Sequence, residues 1–265
     1  MFPRLLLDDE ASQHEDGVRE VVKMMKKVGE TLGLRRKVEK SDGNNVEKLS
    51  FADDSLNILA AGFETTSSTM SILLYSLSKN PSIQEKCYGE ISGVLSNDEK
   101  EIHHEAVNEM SYLEACIQET LRLYPIVLRN QRACVKDSNL NGMLIKKGTQ
   151  VIVPTWAMHR NPELFGDNAS DFIPERFLED GGEKMAEHVS NHTFHAFGGG
   201  PRICIGMRFA MVEMKIAIAK LLMNFTILDE PGVTKLDIQK GGLFLLTYPD
   251  MKVRIKRRGT SFKEE

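Results

Sequence analysis

A run of three glycines, followed by a proline, an arginine and a lone cysteine, constrains the fold of this chain more than any other feature. It lies in the stretch FHAFGGGPRICIG, residues 194–206. Ordered glycine loses much backbone freedom, so glycine runs occur where a backbone turns sharply or closely approaches another group. A helical pattern follows at once, with one apolar face made of Met211, Met214, Ile218, Leu221, Leu222 and Phe225. The sequence therefore predicts a tight loop that presents Cys204 at the start of a helix.

The composition limits the class of protein. The chain has 265 residues, 41% hydrophobic and 27% charged, as expected for a globular core. A net charge of −4 gives no indication of a nucleic-acid partner, which a basic patch would favour. No apolar run is long enough to cross a bilayer, and the opening MFPRLLLDDE lacks the features of a signal peptide. We therefore expect no membrane anchor within these residues.

The cysteines indicate a reducing compartment. The four of them are widely spaced and form no C-x-x-C pair, which argues against a disulfide framework and against a zinc ribbon. A second metal hypothesis combines Cys204 with His188, His192 and His195 in a zinc site, since the first two histidines lie four residues apart and can share a helix face. Because that stretch is polar and ends in glycines, solvated histidines are the favoured interpretation.

The chain divides by pattern into two parts. Residues 1–50 are highly charged and predict a helix and loop leading into the core, and residues 51–265 carry the core signal. Apolar residues at helical spacing predict one long helix over 51–79, with Leu56, Leu59, Phe63, Met70, Leu73, Leu74 and Leu77 on one face. Further helices are predicted over 81–95 and 111–124, and short strands within 126–156, in GLFLLTYP and in KVRIK. The fold class is mainly α with small β-sheets.

Cys204 has two possible roles from sequence alone. A cysteine at the N-terminal end of a helix lies among free backbone N–H groups and the positive end of the helix dipole, which favours the thiolate. Haem fits such a site, because its iron takes a thiolate and its propionates pair with an arginine such as Arg202. The simpler alternative is a buried structural cysteine, which is the commoner fate of a lone cysteine.

The stretch AGFETTSSTM lies in the middle of the long helix although it is rich in poor helix formers. Gly62, Thr65, Thr66 and Thr69 form one small, hydroxylated face, whose hydroxyls can bond back to the helix and bend or open it. Glu64 and Thr65 place an acid beside an alcohol, the parts of a proton relay. Close packing of two helices through small residues explains the pattern equally well.

Two further short stretches are weak signals alone. In ETLRLYP, Glu119 and Arg122 share a helix face and can pair. In PERF, Arg176 lies within an irregular region. A carboxylate between two arginines would tie that irregular region to the helix.

Together and in order, these stretches resemble the cytochrome P450 family. The sequence contains A-G-x-E-T-T at 61–66, E-x-x-R at 119–122, P-E-R-F at 174–177 and a complete F-x-x-G-x-R-x-C-x-G at 197–206. The stretches ETLRLYPIVLRNQRAC and GPRICIGMRFA look most like the animal microsomal clan that includes the 3A subfamily. The resemblance runs from about residue 51 to residue 255.

The resemblance implies a role for each matching residue. Cys204 would be the axial thiolate ligand of the iron of haem b, shielded by Phe197, with Gly200 and Gly206 allowing close approach of the backbone. Arg202 and Arg132 would hold the propionates. Glu64 and Thr65 would deliver protons to bound O₂. The remaining assignments are a structural triad of Glu119, Arg122 and Arg176, and a substrate lining of Ile126, Val127, Leu128, Leu243, Phe244 and Leu245.

The resemblance also implies a reaction and its partners. The family inserts one oxygen atom of O₂ into a lipophilic molecule, with electrons from NADPH through NADPH–cytochrome P450 reductase. Candidate docking residues for the reductase are Arg208, Lys215 and Lys220, which are equally explained as a solvated helix face. Relatives of this clan lie on the cytosolic face of the endoplasmic reticulum membrane.

Length is the main departure from the family, whose members are roughly twice as long. The sequence therefore predicts a C-terminal half, without the anchor and much of the substrate pocket. Two alternatives to a monooxygenase stay open. One is an isomerase or dehydratase that rearranges peroxides without a reductase, although the Glu64-Thr65 pair favours the monooxygenase. The other is a non-catalytic remnant or fragment.

Overall fold

The computed structural model describes residues 4–7, 46–95, 102–178, 193–231 and 251–259, with side chains from residue 61 onward. It is mainly helical with small sheets, which confirms the predicted fold class. The helices are α1 (Val46–Lys79), α2 (Pro81–Val94), α3 (His104–Glu109), α4 (Ser111–Leu123), α5 (Thr155–Met158), α6 (Pro162–Phe165) and α7 (Met207–Asn224).

Prolines set two of the helix boundaries. Helix α1 ends at Lys79, and α2 begins with Pro81 in its first turn, where a missing N–H costs nothing. Asn80, between the two helices, donates a side-chain hydrogen bond to the Ser76 carbonyl at 2.8 Å. Helix α4 ends at Leu123, two residues before Pro125. Helices α1, α2 and α4 therefore end close to the boundaries that the sequence predicts, although α1 begins at Val46 rather than at residue 51.

The strands form three small sheets. Their bounds are β1 (Arg4–Leu7), β2 (Asn130–Ala133), β3 (Ser138–Leu140), β4 (Met143–Ile145), β5 (Gln150–Val153), β6 (Phe225–Leu228) and β7 (Lys252–Arg257). β7 lies between β1, which runs parallel to it, and β6, which runs antiparallel. β2 pairs with β5, and β3 with β4, both antiparallel. Asn141 and Gly142 have φ of 49° and 87°, so they form the tight hairpin turn between β3 and β4.

The main core lies where α1, α2, α4 and α7 meet the sheet of β6 and β7. Its fully buried side chains include Leu73, Leu77, Ile91, Leu113, Ile117, Ile218 and Leu222. Phe63 departs from the predicted apolar face of α1, because 47% of it is exposed. The side chains of Leu56 and Leu59, and the predicted strand GLFLLTYP, lie outside the described residues.

Candidate functional site

The loop before Cys204 is shaped by two glycines. Gly198 and Gly200 have φ of 75° and 65°, a region that side-chain-bearing residues rarely adopt. The Gly198 N–H donates to the His195 carbonyl at 3.0 Å, and the Ile203 N–H donates to the Gly200 carbonyl at 3.1 Å. These bonds close two consecutive turns. Glycine at 198 and 200 is therefore required by the backbone itself.

Cys204 is exposed and lies three residues before the first residue of α7. Its backbone N–H donates to the Phe197 carbonyl at 2.9 Å, which closes the loop at its base. The large apolar side chains next to it in sequence are also exposed: Ile203 by 48%, Ile205 by 102% and Phe209 by 74%. The alternative of a buried packing cysteine is thus wrong for this structure, and the thiol is available to a ligand.

Gly206 is not required by the backbone. Its φ of −87° is one that any residue adopts, and a Cβ at this position would meet no described atom within 4 Å. Gly62 in the exposed part of α1 also has open space around it, although glycine weakens a helix by about 1 kcal/mol relative to alanine. The open space at Gly206 leaves room for a flat group such as haem beside the cysteine loop. The chemistry of the donors fits it too, since a thiol and two guanidinium groups are exposed.

Those guanidinium groups belong to Arg202 and Arg132, both exposed. Within the described part of the chain, neither forms an ion pair with a carboxylate. Arg132 lies on β2, two residues after Asn130. The side-chain oxygen of Asn130 is 3.8 Å from the Cβ position of Gly198, so the start of β2 lies against the cysteine loop. Both arginines are therefore available to an anionic ligand.

Glu64 and Thr65 lie on α1, where Glu64 is exposed and Thr65 partly buried. The Thr65 hydroxyl donates to the Ala61 carbonyl at 2.6 Å, and the Thr69 hydroxyl donates to the Thr65 carbonyl at 2.9 Å. The predicted back-bonding is present, yet α1 is continuous from Val46 to Lys79. These bonds do not open the helix.

Glu119, Arg122 and Arg176 come together in the structure. Glu119 and Arg122 are fully buried on α4 and form a bidentate pair, with Nε–Oε2 and Nη2–Oε1 distances of 2.6 and 2.8 Å. Arg176, from the 3₁₀ turn Pro174–Phe177, lies 3.4 Å from Glu119 Oε1. The carboxylate also accepts from the Ile173 N–H at 2.9 Å. A charged pair without solvent is tolerated only with such complete hydrogen bonding.

Arg122 joins α4 to the irregular chain that follows the sheets. Its Nη1 donates to the His159 and Ala169 carbonyls, both at 2.7 Å, and its Nη2 donates to the Asp171 carbonyl at 3.1 Å. Arg176 similarly donates to the Phe165 carbonyl at 2.9 Å. Backbone carbonyls that would otherwise be unsatisfied are therefore paired, and a region with little regular structure is fixed against the core.

His159 is a functional candidate that sequence reasoning missed. It is fully buried, and its ring stacks on Phe194 at a centroid distance of 5.1 Å. Burial, together with the nearby positive charge of Arg122, lowers the pKa of His159 to about 3. No spacing rule singles it out, because its partners are backbone groups distant in sequence.

The lowered pKa of His159 predicts a pH dependence of stability. Above the usual value of 6.5 the ring is neutral in both the folded and the unfolded chain. Between 6.5 and about 3 only the unfolded chain binds the proton, so the free energy of unfolding falls as the pH falls, by at most about 1.4 kcal/mol per pH unit. Urea unfolding at several pH values measures this slope. His159→Gln removes the titration and should flatten it; equal slopes would contradict the assignment.

The predicted substrate-lining residues are only partly described. Ile126 is buried, and Val127 and Leu128 are half-buried, directly after α4. Leu243, Phe244 and Leu245 lie outside the described residues, as do His188 and His192 of the zinc hypothesis. Among the described residues, no group of three or more His, Cys, Asp or Glu side chains could hold a metal ion.

One predicted docking residue is not available at the surface. Only 3% of Lys215 is exposed, and its Nζ lies 2.9 Å from Glu114 Oε2. Lys215 therefore joins α7 to α4 and does not face a partner protein. Arg208 and Lys220 are exposed.

Comparison with known proteins decides the family. The family model described as cytochrome P450 matches residues 7–255. The chain belongs to the cytochrome P450 family. Within the family it is similar to 3A proteins, as the sequence motifs predict. It is 40% identical to cytochrome P450 3A6 of Oryctolagus cuniculus over 206 residues, which are 77% of this chain and 40% of the relative.

Two further relatives give the same result. Cytochrome P450 3A5 of Homo sapiens is 41% identical over 178 residues, which are 67% of this chain and 34% of the relative. Cytochrome P450 3A27 of Oncorhynchus mykiss is 40% identical over 200 residues, which are 75% of this chain and 37% of the relative. The matched part of this P450 chain thus covers well under half the length of each relative. None of its described helices has the length and apolarity needed to cross a membrane.

Proposed function

We propose that this P450 chain forms the cysteine-ligand half of a haem-thiolate monooxygenase, which inserts one oxygen atom of O₂ into a lipophilic small molecule. The observation that carries the proposal is the exposed Cys204 thiol in its glycine loop, next to open space at Gly206. Haem b supplies the oxidation chemistry when bound. The protein supplies the ligand, the orientation and the protons.

Cys204 would supply the thiolate ligand, and the hydrogen bond from its backbone N–H to the Phe197 carbonyl holds the backbone that carries the sulfur. Phe197 is partly buried and packs against the core, and in the proposed site it would shield the sulfur once haem is bound. Arg202 and Arg132 would pair with the two propionates. Gly200 and Gly206 leave room for the macrocycle beside the backbone.

Glu64 and Thr65 handle the proton. The Thr65 hydroxyl already donates its own proton to the Ala61 carbonyl, so its oxygen has free lone pairs that accept another hydrogen bond. Glu64 is exposed beside it. Glu64 would act as the acid and the Thr65 oxygen would accept a hydrogen bond, so together they would relay protons from water for the oxygen chemistry.

The proposal includes the partners and the location of the enzyme. NADPH–cytochrome P450 reductase would supply electrons and dock near the Cys204 loop, with Arg208 and Lys220 as exposed basic contacts. Ile126, Val127 and Leu128 would line an apolar pocket, which favours a xenobiotic or steroid-like substrate. The enzyme would act at the cytosolic face of the endoplasmic reticulum membrane.

Oxygen consumption by the haem-loaded chain with reductase and NADPH tests this proposal. Thr65→Ala removes the alcohol, so we expect the ratio of product formed to O₂ consumed to fall at least about tenfold, since a positioned proton-transfer group contributes about 10²–10⁴-fold to a rate. Thr69→Ala is a matched control, because it loses an equivalent back-bond one turn further along α1. Unchanged coupling in Thr65→Ala would exclude the relay. Turnover of a peroxide without NADPH would instead favour the isomerase or dehydratase.

A further inference from the structure

The His159 ring bridges two backbone groups that lie far apart in sequence. Its Nδ1 lies 3.2 Å from the Arg122 carbonyl oxygen at the end of α4. Its Nε2 lies 2.8 Å from the backbone nitrogen of His195, in the segment that enters the cysteine loop. The ring is therefore a direct link between the buried Glu119–Arg122 pair and that loop.

Its partners determine the tautomer. A backbone carbonyl only accepts hydrogen bonds, so His159 Nδ1 carries the proton and donates it to Arg122. A backbone N–H only donates, so Nε2 is unprotonated and accepts from His195. His159 is thus neutral and held in a single tautomer. The Arg122 side chain restrains the same residue from the other direction, by donating to the His159 carbonyl at 2.7 Å.

Backbone hydrogen bonds continue from His159 to Cys204. His195, which donates its N–H to the ring, accepts at its carbonyl from the Gly198 N–H at 3.0 Å. Phe197, between them, accepts from the Cys204 N–H at 2.9 Å. Phe194, one residue before His195, stacks on the ring with an interplanar angle of 17°. The turn from His195 to Gly198 is thus built on the position of His195, and the bond between Phe197 and Cys204 joins that turn to the cysteine.

We propose that His159 is a positioning residue for Cys204, which fixes the entry of the cysteine loop to the end of α4 and thereby the place of the thiol. It does not contact the thiol. Its bearing on haem ligation rests on the proposed function, whereas its effect on the loop does not. This role depends on Nε2 as a hydrogen-bond acceptor. A replacement side chain that accepts from the His195 N–H should therefore keep the loop in its position.

Three variants of His159 distinguish the effect of its hydrogen-bond acceptor from the effect of filling the same space. His159→Gln can place its amide oxygen near the Nε2 position and accept from His195. His159→Asn is one bond shorter, so it keeps a donor near Arg122 but leaves the His195 N–H without its acceptor. His159→Phe keeps an aromatic ring for Phe194 and loses both hydrogen bonds. Gln84→Met is a control, since Gln84 is a buried side chain with three hydrogen bonds elsewhere in the core.

Hydrogen exchange of the haem-free chain is the first measurement. We expect the amides of His195, Gly198 and Cys204 to lose about tenfold in protection in the Asn and Phe variants, the factor that corresponds to about 1.4 kcal/mol. Protection in His159→Gln should stay near that of the unmodified chain. Gln84→Met should leave these three amides unchanged even where its global stability falls. Equal protection in all His159 variants would overturn the inference.

The reduced, CO-bound spectrum of the haem-loaded variants is the second measurement. In the Asn and Phe variants, the thiolate-bound form should decrease about tenfold relative to other haem forms at equal folded content, with recovery in His159→Gln. If the unmodified chain shows no thiolate form, the proposed function fails, and the exchange result alone decides the role of His159. If it shows the thiolate form and every variant keeps it, the positioning role fails.

Discussion

Replacing Glu119 with glutamine is expected to lower the free energy of unfolding by about 3–5 kcal/mol, because it leaves the buried Arg122 guanidinium without its opposite charge. Both side chains have no exposed surface. The loss is a large fraction of the roughly 5–15 kcal/mol by which domains are stable. It also weakens the bond to Arg176 and the Ile173 N–H, which share the same carboxylate oxygen. Denaturant unfolding followed by circular dichroism measures the change.

A surface pair on the same part of the fold is the control. Lys86 and Glu175 lie 2.7 Å apart, but their side chains are 59% and 41% exposed. Lys86→Met should therefore cost less than about 1 kcal/mol. The double variant Glu119→Leu with Arg122→Met removes both charges and should cost less than the sum of the two single changes. A Glu119→Gln variant as stable as the unmodified chain would show that the pair does not fix the irregular region.

Replacing Cys204 with alanine is expected to abolish most of the thermal stabilisation that haem gives to this chain. A ligand that binds only the folded state stabilises it by about 2.7 kcal/mol at a hundredfold excess over its dissociation constant. Without the thiolate, only the arginines and apolar contacts would hold haem, and the increase in unfolding temperature on adding haem should largely disappear. Differential scanning calorimetry with and without haem measures it.

Cys134 provides the matched control, because it is the other described cysteine that is not fully buried. Its thiol donates to the Lys136 carbonyl at 2.9 Å, in a different part of the chain. Cys134→Ala should keep the full stabilisation by haem. Equal stabilisation of both variants would show that haem binds elsewhere or without a specific ligand.

The long periodic segments were predictable from sequence. Helices α1, α2, α4 and α7 carry apolar residues at helical spacing, and prolines mark several of their ends, so their positions follow from local rules. Asn-Gly is the residue pair typical of a two-residue hairpin turn, and Asn141 and Gly142 lie between β3 and β4. The strand KVRIK is confirmed as part of β7. The short helices α3, α5 and α6 were not predicted, because four to six residues are too few to show a period.

Long-range pairing was not predictable from local rules. β7 pairs with β1 in parallel from the opposite end of the chain, and β2 skips two strands to pair with β5. Lys215 carries a charge typical of a solvated position, yet it is buried because Glu114 on a neighbouring helix neutralises it. Each outcome depends on a partner far away in sequence.

In the candidate site, too, some residues could be predicted from local sequence and others only from the fold. The motifs located Cys204, Arg202 and the Glu119–Arg122 pair, because their spacing along the chain carries the signal. His159 gave no such signal, since it acts through backbone groups of Arg122 and His195. Only the fold brings those groups to opposite sides of one imidazole ring.

The reduced, CO-bound absorption spectrum of the haem-loaded chain tests the central claim most directly. The claim is that Cys204 in FHAFGGGPRICIG is a thiolate ligand of haem iron. It predicts the red-shifted Soret band characteristic of thiolate ligation in the unmodified chain, and loss of that band in Cys204→Ala. If the unmodified chain shows only the band of haem that is ligated by histidine or lacks a thiolate ligand, the claim is contradicted.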